Sequence, residues 1–258
     1  MRLSDKVIVV TGSTRGIGRD IARVAAREGA LVVLSGRNAP NGRKALAAIR
    51  QDGGSGCFIR ADVSEPEDCY RLIDETVKKY GKIDGLVNNA GIFPYHQLLE
   101  VTPEEFEQVI NTNLKGSFFC AQRAIAYMQK QGGGSIVNIE STHWELGTKM
   151  LPVYSMSKGG MHTMTNHIAH HFAPYGIRCN GVIVGWVLSE GESDRMHRLG
   201  LTDEEIEAEG RKYIPSGTFQ TGEDIGNACV FLLSDESKQA FGTHIEITGG
   251  FRTGGSID

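Results

Sequence analysis

The sequence has little of what marks several classes of protein. Aromatic residues make up 7% of its 258 residues and prolines number seven. No apolar run approaches the roughly 20 residues that a membrane-spanning helix needs. The net charge is −4 at pH 7, and Lys and Arg form no cluster long enough to contact nucleic acid. These absences argue against a membrane protein and against a nucleic-acid-binding protein.

The cysteines are also few, and none forms a Cys-x-x-Cys pair. They are odd in number and widely spaced, at Cys57, Cys69, Cys120, Cys179 and Cys229. This pattern predicts reduced thiols, mostly small core residues, in a cytoplasmic protein. The N-terminus runs Met-Arg-Leu-Ser-Asp-Lys straight into an apolar strand, so we expect no signal peptide.

Short apolar runs alternate with segments of helical periodicity along the whole chain. The runs are rich in β-branched residues, as in Val7–Val10 and Ile177–Val184, and glycines (33 of them) fall at the turns between them. Further strands are predicted at 30–34, 57–61, 86–88, 136–140 and 243–248, and helices at 41–51, 66–79, 103–130, 153–173 and 222–233. This alternation predicts βαβ units and a parallel sheet covered on both faces.

The chain contains no Pro- or Ser-rich linker and no internal repeat, which predicts a single domain over residues 1–258. Residues 189–216 are the exception, because they are polar, charged and weakly patterned, and too long for an ordinary connection. We interpret this segment as a substrate-binding lid rather than a linker.

A glycine-rich turn follows the first strand and opens the first helix. Residues 11–18 read Thr-Gly-Ser-Thr-Arg-Gly-Ile-Gly. Gly12 permits a sharp turn, and Gly16 and Gly18 let the backbone approach a pyrophosphate at the positive end of the helix. The alternative is an ordinary tight turn between a strand and a helix.

Tyr154 and Lys158 lie four residues apart on the predicted helix 153–173, so they share one face. An ammonium at roughly 4 Å, at an effective dielectric constant of about 20, would lower the pKa of a phenol by about three units, and desolvation opposes that shift. Such a phenol can act as an acid and a base near neutral pH. A surface helix pair is the alternative.

These motifs occur in a particular order. The turn Gly-x-x-x-Gly-x-Gly is followed by Asn-Asn-Ala-Gly at 88–91, by Ser141 and by Tyr-x-x-x-Lys at 154–158. In the order and spacing of these motifs the whole chain resembles the short-chain dehydrogenase/reductase family. It resembles in particular the short NADP(H)-type members of the 3-oxoacyl-carrier-protein reductase and sugar or polyol dehydrogenase kinds. The resemblance implies a single-domain α/β Rossmann fold, a doubly wound parallel seven-stranded sheet of order 3-2-1-4-5-6-7, and a nicotinamide cofactor.

The resemblance assigns four catalytic roles. Tyr154 would exchange a proton with the reacting oxygen, and Lys158 would lower the pKa of Tyr154 and bind the nicotinamide ribose. Ser141 would hydrogen-bond the reacting oxygen, and Asn113 would hold a water that links Lys158 to solvent. Because hydride transfer builds negative charge on oxygen, two preplaced donors would stabilise it. Ser141 as a loop serine and Asn113 as a helix cap are the alternatives.

The end of the second strand indicates which nicotinamide is bound. Enzymes that use NAD usually place an acid there, whereas this chain has Gly36 followed by Arg37, with Arg15 inside the glycine turn. Two guanidinium groups can bind a 2′-phosphate through charge-assisted hydrogen bonds, so we favour NADP(H), with NAD(H) as the alternative. Asp62 and Val63 match family positions that contact adenine, and Asp62 as a helix cap is the alternative.

The cofactor-binding set implied by the resemblance draws on six stretches of the chain. It consists of Gly12, Ser13, Thr14, Arg15, Gly16, Ile17, Gly18, Arg37, Asp62, Val63, Asn89, Ala90, Gly91, Tyr154, Lys158, Gly185, Val187 and Ser189. Val184 stands before Gly185 where the family usually has proline, which frees the backbone there.

The substrate-pocket residues are predicted near the ends of the fourth, fifth and sixth strands, where ligands bind in open α/β sheets. They are Tyr95, His96, Glu140, His143, Trp144, Trp186 and Glu190. Several of them are polar, which favours a hydroxylated substrate such as a sugar or polyol over a long acyl chain or a steroid. Solvent exposure of some of them is the alternative.

The long helix carries His162, His167, His170 and His171. His167 and His171 are spaced as a metal pair would be, but no acid or cysteine lies nearby in the sequence, so we expect surface packing or a subunit contact and no metal. The resemblance implies a homotetramer, or a homodimer. The rival functions are a 3-oxoacyl or other ketone reductase and a non-catalytic nicotinamide-binding sensor, whereas a sugar epimerase would need a longer chain.

Overall fold

The computed structural model describes residues 1–251 and is built from alternating strands and helices. Within these residues the strands are β1 Val7–Val10, β2 Leu31–Gly36, β3 Ser55–Arg60, β4 Gly85–Asn88, β5 Gly134–Ser141, β6 Ile177–Val184 and β7 His244–Ile247. The α-helices are α1 Gly16–Arg27, α2 Ala39–Gln51, α3 Pro66–Tyr80, α4 Pro103–Ile110, α5 Gly116–Gln131, α6 Pro152–Phe172, α7 Glu190–Arg198, α8 Asp203–Tyr213 and α9 Gly222–Leu233.

The seven strands form one sheet of order β3-β2-β1-β4-β5-β6-β7, and every pair is parallel. The order reverses between β1 and β4, so the loops after these two strands diverge and leave a crevice at the carboxyl edge of the sheet. The predicted α/β Rossmann fold and its strand order are therefore confirmed.

Alternating side chains of the strands divide the core into two layers. On β1, Ile8 and Val10 pack in one layer with α1, α2 and α9, while Val7 and Val9 pack in the other with α3, α5 and α6. All four β1 side chains are fully buried. A strand buried on both faces is apolar throughout, which is why β1 reads as a continuous β-branched run.

Short polar residues fix where several helices begin. The side chains of Asn38, Thr102, Ser189, Thr202 and Thr221 each accept a hydrogen bond from a backbone N–H in the first turn of the following helix. The capping places the starts of α7 and α8, so residues 189–216 form two ordered helices rather than a loop. The predicted lid function of this segment stays a prediction.

The helices predicted over residues 103–130 are present as α4 and α5, but the segment between them is not α-helical. Residues 111–115 form a π-helical turn between α4 and α5. Among residues 1–251, no helix combines the length and the apolar character that a bilayer crossing needs. The last seven residues of the predicted single domain, 252–258, lie outside the described part of the chain.

Candidate active site

The glycine turn has the conformation that its sequence requires. Gly12 and Gly16 have φ values of 64° and 56°, in the left-handed region that favours glycine. A Cβ on Gly12 would lie 2.8 Å from the Cα of Ala90, and a Cβ on Gly18 would lie 2.5 Å from the Gly12 carbonyl oxygen. The turn is therefore packed backbone to backbone, and the N-terminus of α1 opens onto the crevice.

Side chains under the turn hold it in place. Ser13 Oγ donates to the Val10 carbonyl (2.7 Å) and accepts from the Ser35 N–H (2.9 Å). Asn89 Nδ2 donates to the Thr11 carbonyl (2.9 Å) and to that of Gly12 (3.2 Å). Ser13 thus braces the turn from inside, is fully buried and does not line the cleft, so its predicted place in the cofactor-binding set stays a prediction.

A cleft of about 280 Å³ extends from the glycine turn across the ends of β2, β3 and β4. Most residues of the predicted cofactor-binding set line it: Gly12, Thr14, Arg15, Gly16, Ile17, Gly18, Arg37, Asp62, Val63, Asn89, Ala90, Gly91 and Ser189. The sequence reasoning missed Gly36, Ala61, Ile92, Phe93, Thr112 and Gly191, which carry no motif of their own. The predicted binding set thus comes together in space at one elongated cleft.

The end of β2 leaves no room for a side chain at Gly36. A Cβ there would lie 2.7 Å from Thr14 Cγ2. The next side chain, Arg37, is exposed at 60%, and its guanidinium lies 3.8 Å from the Asp62 carboxylate. Asp62 also accepts from the N–H and the hydroxyl of Ser64 (3.1 and 2.8 Å), so it both lines the cleft and caps the turn before α3.

Tyr154, Lys158 and Ser141 lie together on α6 and β5, outside the set of residues that lines the cleft. Lys158 Nζ lies 5.6 Å from the centre of the Tyr154 ring and donates to the Ile139 carbonyl at 2.6 Å. Ser141, the last residue of β5, has its hydroxyl 3.3 Å from His143 Nδ1. Lys158 and Ser141 are buried, whereas Tyr154 is half-buried.

Burial dominates the pKa values of this pair. It raises the pKa of Tyr154 to about 12, and the hydrogen bond with Ser141 works against that rise. It lowers the pKa of Lys158 to about 8, and the negative charge of Glu140 works against that fall. Burial thus places the pKa of Tyr154 above its usual value, and the predicted role of Lys158 in lowering it stays a prediction.

Asn113 lies in the π-helical turn and is fully buried. Its Nδ2 donates to the Ile92 carbonyl (2.9 Å) and to Ser157 Oγ (3.1 Å), and its Oδ1 accepts from the Ile92 N–H (2.8 Å). Asn113 therefore ties the loop after β4 to α6, which carries Tyr154 and Lys158. Its predicted role in holding a water stays a prediction.

A second, smaller cavity of about 130 Å³ adjoins the cleft beside Tyr154. Of the predicted substrate residues, Tyr95, His143 and Trp186 line it, together with Ser141 and Tyr154. The predicted cofactor residues Gly185 and Val187 lie here rather than in the larger cleft. Burial lowers the pKa of His143, which favours the neutral imidazole at this wall.

The other predicted substrate residues do not line this cavity, and their assignment stays a prediction. Glu140 is fully buried between β5, α6 and β7, and Trp144 stacks on His162 with ring centroids 4.2 Å apart. Glu190 pairs with Arg19 at 3.0 Å, and His96 is exposed and paired with Glu105. Each side chain follows a strand end as predicted but points away from the cavity.

Glu192 lines the cavity and was missed in the sequence, where it reads as one more charge on a polar helix. Its carboxylate accepts from Trp186 Nε1 (2.9 Å) and from Arg195 Nε and Nη2 (2.9 and 2.6 Å). Burial opposes its ionisation, but these hydrogen bonds hold its pKa below the usual value. The Arg195 guanidinium lies 4.5 Å from the centre of the Tyr95 ring, which connects α7 to the opposite wall of the cavity.

The fold, the glycine turn and the Ser-Tyr-Lys group together define a nucleotide-binding oxidoreductase of the Rossmann class. A family model described as enoyl-(acyl carrier protein) reductase matches residues 12–252. The chain belongs to the short-chain dehydrogenase/reductase family. The predicted family and the predicted NAD(P)-dependent oxidoreductase class are thus confirmed.

Relatives that cover nearly the whole chain have chemically different substrates in their names. An L-rhamnose 1-dehydrogenase (NAD(P)(+)) of Azotobacter vinelandii is 33% identical, with 97% of this chain and 98% of the relative covered. A 7α-hydroxysteroid dehydrogenase of Clostridium sardiniense is 34% identical, with 98% and 95% covered. The crystal structure of a short-chain type dehydrogenase/reductase of Mycobacterium marinum superposes with a TM-score of 0.89 at 29% identity, covering 98% of this chain and 97% of that one.

Proposed function

We propose that the protein transfers a hydride between NADP(H) and a small, polar alcohol or carbonyl compound such as a sugar or polyol. The observation that carries this proposal is the junction of the two cavities. Ile17, Phe93 and Ser189 line both the nucleotide cleft and the smaller cavity, and Tyr154 and Ser141 stand in the wall of the smaller one. A carbinol carbon in the smaller cavity would then face both the proton acceptor and the nucleotide.

The residues at this junction suit proton transfer coupled to hydride transfer. Bound in the cleft, the nicotinamide would accept the hydride in oxidation and supply it in reduction. The phenolate of Tyr154 takes the proton from the substrate hydroxyl in oxidation, and the phenol so formed gives it back in reduction. The Ser141 hydroxyl donates to the reacting oxygen, and the Lys158 ammonium favours the phenolate of Tyr154 through its charge.

The end of β2 supports the choice of NADP(H). The cleft fits a dinucleotide because the glycine turn offers an open helix N-terminus and close approach to the backbone. An acid that would accept from a ribose hydroxyl cannot be placed at Gly36 without moving Thr14. Arg37, exposed and only loosely paired with Asp62, and the exposed Arg15 in the turn leave two guanidinium groups free to bind a 2′-phosphate.

The small cavity supports a small polar substrate. Its wall carries the hydroxyl of Ser141, the neutral imidazole of His143, the carboxylate of Glu192 and the phenol of Tyr95, all of which can bond to substrate hydroxyls. The rhamnose dehydrogenase among the relatives is consistent with such a substrate. A long acyl chain or a steroid would have to displace the contacts of α7 described above.

We also propose a homotetramer located in the cytoplasm. The large apolar side chains Phe106, Phe118 and Met156 on α4, α5 and α6 are 42–50% exposed. An apolar surface of this kind suits a subunit contact. All five cysteines are free and four are buried, as expected in a reducing compartment. Light scattering of the purified protein would test the oligomeric state.

The test of the function is spectrophotometry at the nicotinamide absorption band. Oxidation of aldoses and polyols is compared with reduction of keto-sugars, diketones, 3-oxo esters and aromatic ketones, each with both nucleotides. We expect turnover of a polyhydroxylated substrate with NADP(H). Turnover confined to 3-oxo esters or aromatic ketones would favour the ketone-reductase alternative, preference for NAD(H) would contradict the assignment of Arg37, and tight nucleotide binding without any turnover would favour a sensor.

A further inference from the structure

A cluster of three ionisable side chains lies behind the active site, outside both cavities. Glu140 on β5, His162 on α6 and His244 on β7, here called the Glu140 cluster, have their ligating atoms within 4.8 Å of one another. Glu140 Oε2 accepts from Nδ1 of His162 and from Nδ1 of His244, both at 2.9 Å. Its Oε1 accepts from Thr165 Oγ1 at 2.7 Å, so the fully buried carboxylate is held from two neighbouring elements.

His244 is held at both ring nitrogens. Its Nδ1 faces the Glu140 carboxylate at 2.9 Å and its Nε2 faces Asn166 Oδ1 at 3.0 Å. These contacts connect β7 to β5 and to α6. Burial alone would raise the pKa of Glu140, but the hydrogen bonds and charge of His244, with help from Thr165 and His162, hold it below the usual value.

The same donors could attract a metal ion, but the ring geometry opposes it. The rings of His162 and His244 stack with centroids 3.9 Å apart and planes at 27°. A metal bound to an imidazole nitrogen lies close to the ring plane, at about 2.0–2.1 Å for zinc. An ion that bound both Nδ1 atoms here would lie well outside at least one ring plane. A proton-bridged cluster fits the stacked rings without that distortion.

The position of Glu140 in the chain gives the cluster its consequence. The residue before it, Ile139, presents the carbonyl that accepts from Lys158 Nζ at 2.6 Å, and the residue after it is Ser141. Opposite the cluster stands Gly181 on β6, where a Cβ would lie 2.6 Å from both Glu140 Oε1 and His244 Nδ1. The absence of a side chain at Gly181 thus leaves space for the cluster. Glu140 lies directly between Ile139 and Ser141, two residues that contact the active site.

We propose that Glu140 is a positioning residue: anchored by Thr165, His162 and His244, it fixes the end of β5 so that the Ile139 carbonyl holds Lys158 and the Ser141 hydroxyl faces the reacting oxygen. This inference rests on the function proposed above. Glu140 touches neither cavity and acts only through its two neighbours. Its negative charge also lies near Lys158 and stabilises the ammonium, so removal of the charge lowers the pKa of Lys158.

The experiment compares Glu140→Gln and Glu140→Ala with wild type and with Asn180→Ala. Asn180 is a matched control, because it is equally buried and bridges the Ala240 carbonyl (2.9 Å) and the Thr243 N–H (2.9 Å) away from the site. Measurements are kcat and KM for substrate and NADP(H), the pH profile of kcat/KM, and thermal unfolding. Glu140→Gln keeps the shape and most hydrogen bonds of the carboxylate without its charge.

We expect Glu140→Ala to lower kcat about 100-fold, because displacements near 1 Å cost about that much. Glu140→Gln should retain most of kcat and shift the pH profile to lower pH through Lys158, the other titratable groups facing Glu140 being His162, His244 and Cys179. Asn180→Ala should lose stability only.

Three outcomes would overturn the proposal. The first is an unchanged kcat in folded Glu140→Ala, and the second is a pH profile in Glu140→Gln identical to wild type. The third is stoichiometric zinc in the purified protein, or zinc stabilisation that Glu140→Gln abolishes, since the cluster would then be a metal site. A wild type that turns over no substrate would instead overturn the proposed function, and this inference with it.

Discussion

The larger cleft and the smaller cavity, here called the pocket, share three wall residues, yet they are built differently. One end of the cleft is formed by backbone, because the glycine turn approaches Ala90 so closely that a single added carbon would collide at 2.8 Å. The pocket consists of side chains, among them His143, Trp186 and Glu192. Backbone geometry needs glycine at fixed spacing and therefore leaves a motif, whereas a wall of side chains can be built from many residues. The sequence therefore indicates the class of cofactor but does not indicate the substrate.

The largest effect is expected when a side chain is added to the glycine turn. Gly18→Val would place carbon atoms against the Gly12 carbonyl and the Asn89 amide, so the turn must open. We expect the affinity for NADPH to fall at least about 100-fold, a loss of about 2.7 kcal/mol of binding free energy. Fluorescence titration of NADPH measures it. Gly53→Val is the control, because no atom lies within 4 Å of a Cβ added there, although its positive φ costs stability.

The second prediction concerns the end of the cleft beside Arg37, where we expect side-chain charge to select the nucleotide. Arg37→Ala should weaken NADPH binding about tenfold to 100-fold and leave NADH binding unchanged, because a charge-assisted hydrogen bond is worth about 1.5–3 kcal/mol. Lys130→Ala removes the same charge from an exposed position on α5 and controls for net charge. Equal losses for the two nucleotides would contradict the assignment of Arg37 to the 2′-phosphate.

The third prediction separates the pocket from the cleft. Glu192→Gln removes the charge that binds Arg195 at 2.6 and 2.9 Å and should raise the substrate KM about tenfold, with NADPH affinity unchanged. Glu207→Gln is the matched control on α8, since its pair with Arg211 is exposed and long at 3.5 Å. A loss of NADPH affinity in Glu192→Gln would show that the two sites are not separable in this way.

The smallest effect is expected in the pH dependence of stability. Because the pKa of Glu140 is lowered in the folded state, the unfolded state binds its proton more readily. The stability this supplies is fully present above the unfolded pKa of about 4.3 and is lost as pH falls through the folded pKa below it.

In Glu140→Gln the difference from wild type should therefore shrink as pH falls through that window, by at most about 1.4 kcal/mol per pH unit. Denaturant unfolding between pH 3 and pH 7 measures it. Glu223→Gln, whose partner Arg27 is exposed, serves as the control. A difference that stays constant with pH would mean that Glu140 is not charged in the folded protein.

The sequence predicts well where a strand or helix begins and ends if neighbouring residues in the chain set those bounds. β6 and α9 begin and end as predicted, since the one is a continuous buried run and the other starts at the capping box of Thr221 with Asp224. β3 begins at Ser55, two residues before its predicted start. Ser55 pairs with Leu31 of β2, so the register of the sheet rather than strand propensity sets where β3 begins.

The site residues divide in the same way, into those that local motifs predict and those that long-range packing places. Most of the predicted nucleotide contacts line the cleft, because each follows a strand end that topology brings to one edge. Burial raises the pKa of Tyr154, whereas the predicted role of Lys158 would lower it, and the sequence does not reveal how far the fold desolvates the phenol. The Glu140 cluster joins residues from β5, α6 and β7, and such long-range contacts carry no periodic signal in a single sequence.

The most direct test of the account is Tyr154→Phe, measured for both NADPH binding and turnover. The substitution removes only the hydroxyl, so the account predicts that NADPH still binds and that kcat falls about 100-fold to 10,000-fold, the usual contribution of a general acid and base. Turnover close to that of wild type, with NADPH still bound, would show that another group carries the proton and would contradict the account.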